Sequence, residues 1–132
     1  MKANYSFSSI NPTPVQFIGT LQKPLYQVLF DTEEVNSLVN DEESTSGQSL
    51  IKQYKSLFVQ VKSLDYATLV SAIIESRYSN DEVSAIMLNS LEALDLTSSI
   101  TDEKRADYLA EYADLQAWRA HAKEIAREVA SL

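Results

Sequence analysis

The feature that most constrains this chain is its last quarter. Thr101 to Leu132 contains neither proline nor glycine, so nothing in it interrupts a helix. Its apolar residues recur at helical spacing: Tyr108, Leu109, Tyr112, Leu115, Trp118, Ala122, Ile125, Ala126 and Val129. One amphipathic helix over about 101–131 follows, roughly 45 Å long at 1.5 Å per residue. Helices in water gain most of their stability from packing, so this stripe must cover other apolar surface.

Two shorter helices precede it. Ser63 or Asp65 can cap a helix over about 64–77, with Leu69, Val70, Ile73 and Ile74 on one face. Ser79-Asn80-Asp81-Glu82 has the spacing of a capping box, in which the Ser79 hydroxyl and the Glu82 carboxylate each accept from the other's backbone amide. It opens a helix over about 80–94 that the spacing expects to bury Val83, Ile86, Met87 and Leu91. In the long helix, Asp102, Glu103 and Asp107 lie early and Arg119, Lys123 and Arg127 late, which suits the macrodipole.

The first half is less regular. All three prolines, Pro12, Pro14 and Pro24, fall in residues 1–24, read as an extended arm with room for a short strand at Val15–Ile18. Lys23–Phe30 fits a strand, or equally a helix with Pro24 at its first turn that continues towards Val39. Asp31–Glu43 carries six carboxylates and no base, yet lacks the ligand spacing and central glycine of a calcium loop, so a solvated loop is expected. The stretch 41–48, ending near Gly47, marks an internal break. Ser49–Val61 mixes both periods and is read as a helix to Ser56 followed by a strand over Leu57–Val61.

The expected fold class is therefore mainly α: a three-helix C-terminal core (about 64–77, 80–94 and 101–131) beside an irregular N-terminal half with short strands. With only two glycines, a turn-rich barrel or sandwich is disfavoured. The domain reading places an arm and acidic loop region at 1–48 and a helical domain at 49–132.

Charge and composition exclude several functions. A net charge of −8 with scattered bases offers no phosphate-binding stripe and no basic membrane face. No apolar run approaches the roughly twenty residues of a membrane span, and the first residues lack a signal peptide's apolar core. Without cysteine there are no disulfides or thiolate metal sites, which suits synthesis in the cytoplasm. The single histidine, His121, has no second histidine or nucleophile motif to work with and reads as a surface residue. Two isolated glycines cannot build a phosphate cradle. The expectation is no enzyme, no cofactor, no metal and no small-molecule substrate.

Partner proteins are the remaining class. A helix this long presents more apolar length than two short helices cover, so part of its stripe is expected to meet another subunit. The interface candidates are Tyr108, Tyr112, Leu115 and Trp118 on the long helix, with Phe7 and Phe17 on the arm.

Residues 65–131 also carry a recognisable series: Asp65-Tyr66, the apolar Leu69–Ile74, Arg77-Tyr78-Ser79-Asn80-Asp81-Glu82, Ala85-Ile86, Glu111-Tyr112, Trp118-Arg119 and Ala122-Lys123. In this it resembles small helical proteins encoded by bacteriophages and prophages of Bacteroides-type hosts. The resemblance implies a structural or accessory protein from the virion-assembly region, a component of head, neck or tail that acts by self-association and docking. It would be made in the host cytoplasm and end in the virion, and no catalytic residues come with it. A phage-encoded acidic adaptor or inhibitor of a host protein is the alternative.

Overall fold

The computed structural model describes residues 4–39 and 49–132. Its elements run β1 (Tyr5–Ser8), β2 (Val15–Phe17), β3 (Tyr26–Val39), β4 (Ser49–Val61), α1 (Tyr66–Glu75), α2 (Asn80–Leu94) and α3 (Asp102–Ala130). The described residues divide into two compact units, residues 4–63 and 64–132. The first holds the strands and the second the helices. This overturns the mainly-α expectation: the first half is a four-stranded antiparallel sheet in the order β1-β4-β3-β2.

The sheet follows from a period-2 pattern that the mixed composition obscures. Val15 pairs with Val28, Phe17 with Tyr26, Val28 with Val59 and Tyr26 with Val61. Phe30 pairs with Leu57, which on its other side pairs with Tyr5. Directly paired residues share a face, so these rows make one apolar face. The other face mixes the row Gln16-Gln27-Gln60 and the serines Ser6, Ser8 and Ser56 with the apolar pair Leu29–Phe58, of which Leu29 is buried. Residues 49–56 are therefore strand rather than helix. The run from Asp31 to Val39 is strand too, not a solvated loop. The break read at 41–48 lies outside the described residues.

One irregularity explains why the alternation is hard to follow. Between Phe30 and Glu33, β3 carries two residues, Asp31 and Thr32, where β4 carries only Ser56. Asp31 has φ 51°, the left-handed region that a short polar side chain tolerates better than most. The result is a β-bulge that shifts the inward–outward parity of everything after it. Thr32 Oγ1 lies 2.7 Å from the Oγ of buried Ser56, so this buried hydroxyl has a partner. Beyond the bulge, β3 and β4 continue as a two-stranded ribbon to the pair Val39–Ser49, with Lys52 Nζ 3.3 Å from Glu34 Oε2.

Glycine is needed at one described position. The β2–β3 connection folds back so tightly that the Ile18 and Gly19 amides both donate to Leu25 O, and a Cβ on Gly19 would overlap Leu25 N and Lys23 O.

In the helical unit, each helix begins where its capping residue stands. Asp65 accepts from Thr68 N at 3.0 Å, Ser79 from Glu82 N at 3.1 Å and Thr101 from Lys104 N at 3.1 Å. Glu82 completes the capping box through its contact with Ser79 N. The long helix α3 is unbroken over 29 residues and packs against both α1 and α2. Leu69 and Ile73 of α1 and Leu115, Ala122 and Ala126 of α3 are almost wholly buried and form the centre of this unit's core.

Candidate interaction surface

Trp118 anchors α3 to α1. Its indole N–H donates to Ile73 O at 3.1 Å, the Arg77 guanidinium lies 4.7 Å from its ring centroid, and only 7% of the residue is exposed. Ser76 Oγ donates to the same Ile73 carbonyl at 2.6 Å, so the last turn of α1 is held from two sides. Leu115, 1% exposed, sits one turn before Trp118. These two interface candidates are thus internal, because α3 spends the C-terminal part of its stripe on its own unit's core.

Tyr108 and Tyr112, towards the start of α3, are half-buried. The Tyr112 hydroxyl accepts from Gln116 Nε2 at 2.9 Å, and Lys104 Nζ stands 5.8 Å from the Tyr108 ring. Phe7 and Phe17 are outward, 59% and 51% exposed. Phe17 meets Tyr26 edge-on at 5.3 Å between centroids. Both belong to strands at opposite edges of the sheet, so the six candidates do not form one site. His121 is partly exposed, with its ring 5.7 Å from that of Trp118 and Nδ1 4.0 Å from Glu124 Oε2. Among the described residues no group of three or more His, Asp or Glu is placed to hold a metal ion, and no helix is long and apolar enough to cross a membrane.

The outward apolar surface that the spacing argument missed is on α2. That helix buries Ser90 and Ala93, with Val83 and Ile86 half-buried on the same side. Small residues on the inward face let α2 come close to α3. The Arg105 guanidinium of α3 reaches over to donate to Ala93 O and to Asp95 O, covering carbonyls left open at the end of α2. With that face inward, Met87, Leu88, Leu91, Leu94 and Leu96 turn outward, at 51%, 66%, 63%, 67% and 90% exposure. Met87 and Leu91, expected in the core, are surface residues.

Met87, Leu91 and Leu94 recur at i, i+4 and i+7, a single stripe along the helix. By the 100° step of the helix, Leu88 falls to one side of that stripe, near Asp81, Glu92 and Asp95. Residues 80–96 contain four carboxylates and no lysine or arginine. Hydrogen bonds from the Thr97 hydroxyl and amide, helped by nearby Arg105, hold the Asp95 carboxyl below the ordinary range. The surface is thus an apolar strip with an anionic edge.

The sheet and helices define an α-and-β protein. Comparison of the chain with protein-family models, with characterised proteins and with solved structures gives no match.

Proposed function

We propose that this chain is a bacteriophage structural or assembly accessory protein, a component of head, neck or tail that works by docking on other virion proteins and on copies of itself. The observation that carries the docking role is the exposed strip Met87-Leu91-Leu94 with Leu88 and Leu96 beside it. Contiguous apolar patches of more than a few hundred Å² are rare on monomeric proteins and mark contact sites. The phage setting rests on the resemblance over residues 65–131. Exposed Phe7 and Phe17, at opposite edges of the sheet, offer two separate contact points for self-association. No catalytic role is part of this reading.

Mass spectrometry of purified particles of a phage encoding the chain tests it. The expected result is the protein at fixed stoichiometry with known virion subunits. Absence from particles, with expression early in infection, would instead support an acidic adaptor or inhibitor of a host protein, a reading favoured by the net charge of −8.

A further inference from the structure

From the α2 strip we infer the kind of partner it takes: an amphipathic helix with a leucine-type stripe and lysine or arginine along its edges, contributed by another protein. This deepens the docking role proposed above and rests on it.

The argument begins with shape. The strip is straight, follows one helix for about two turns, and spaces its large side chains as the anchors of a helix-to-helix contact require. An extended strand would need unpaired backbone to bond to, and the backbone of α2 is already occupied by its own ladder. Met87 adds an adaptable side chain of the kind found on helix-binding surfaces.

Charge then selects among helices. Asp81, Glu92 and Asp95 are exposed along one edge, and Glu82 adds a fourth carboxylate to the same helix. Arg105, which reaches the end of α2, is committed to the carbonyls of Ala93 and Asp95. A second copy is a poor occupant. Antiparallel pairing would set Asp81 of one α2 near Glu92 and Asp95 of the other, and parallel pairing would set each carboxylate near itself. Both add like-charge repulsion to chains that already carry −8 each. A basic-edged helix removes that repulsion and keeps the apolar contact.

The chain has no cysteine, so a single Ser84→Cys on exposed α2 accepts one bimane label beside the strip. The probe is a synthetic helix of about eighteen residues, five turns, with a leucine stripe and lysine edges. A glutamate-edged version and a scrambled lysine version serve as controls. Expected are saturable one-to-one binding of the lysine-edged helix and a blue shift of the bimane. Affinity should fall by about tenfold or more in Leu91→Glu and for both control peptides, and weaken as salt rises. Binding of scrambled and helical lysine peptides with equal affinity would overturn the inference, since charge alone would then explain it. If no peptide binds but light scattering shows a dimer that Leu91→Glu dissolves, the partner is a second copy. The basic-helix inference then fails while the docking role stands. If no peptide binds, the protein is monomeric and the bimane is already shielded, both fail.

Discussion

Replacing Trp118 with phenylalanine removes one hydrogen bond and a few buried ring atoms while leaving an aromatic side chain in place. The indole donor bonds Ile73 O at 3.1 Å, but Ser76 Oγ also donates to that oxygen, so no orphaned acceptor remains. The hydrogen-bond loss is therefore set near the ordinary net value, about 1 kcal/mol. The missing pyrrole atoms leave a small cavity in a site that is 7% exposed, beside fully buried Ile73, which adds roughly 1–2 kcal/mol. Arg77, 4.7 Å from the ring, keeps a weaker cation–π contact with phenylalanine, a change of about 0.5 kcal/mol or less. The sum is about 2–3 kcal/mol, a large share of the roughly 5–15 kcal/mol typical of a domain. Urea unfolding followed by helical circular dichroism should show the midpoint falling by about 1–2 M with the slope unchanged. Leu96→Ala, at a position 90% exposed, should stay within about 0.5 kcal/mol of the parent. A Trp118→Phe protein as stable as the parent would refute the anchoring role given to this residue and would reopen α3 as a surface for a neighbour.

Three further outcomes follow from local geometry. Asp31 sits at φ 51°, so Asp31→Val should cost about 1–2 kcal/mol in chemical denaturation, whereas Asp31→Gly should lie within about 1 kcal/mol of the parent; equal effects would remove the bulge as the cause. Ser79→Ala deletes half of the capping box and should destabilise by about 1 kcal/mol, with faster amide exchange in the first turn of α2. Asp95 is held below its ordinary range first by the Thr97 hydroxyl, then by the Thr97 amide, so its folded value lies under its unfolded one. Its small contribution is then present above the ordinary carboxylate range and is lost as pH falls through the depressed folded value. Carboxyl NMR titration should show Thr97→Val moving Asp95 upward, and an unmoved Asp95 would contradict that assignment.

What the residues reveal unaided is what depends on near neighbours. The starts of α1, α2 and α3 can be read because a cap involves only three or four consecutive residues, as in Asp65–Thr68, Ser79–Glu82 and Thr101–Lys104. The absence of proline and glycine over Thr101–Leu132 similarly permits the unbroken α3. The sheet is harder to see. Val15, Phe17, Tyr26, Val28, Phe30, Leu57, Val59 and Val61 do alternate, and that alternation is the signal that could have found it. The bulge at Asp31–Thr32 breaks the period in β3, and the charged ribbon after it looks like a loop.

Only the tertiary structure decides the remainder, because it depends on residues distant in the chain. Tyr5 meets Leu57 across some fifty positions, a pairing that no local pattern specifies. The α2 sequence offers two possible inward faces, one of Met87, Leu91 and Leu94 and one of Val83, Ile86, Ser90 and Ala93. Periodicity favours large side chains drawn from both, Val83, Ile86, Met87 and Leu91. Packing against α3 selects the smaller ones, because close approach and Arg105 at the helix end favour that rotation, and the leucines are left outside. The chain's own residues thus set the helices, while the fit of one helix on another determines which face is left exposed.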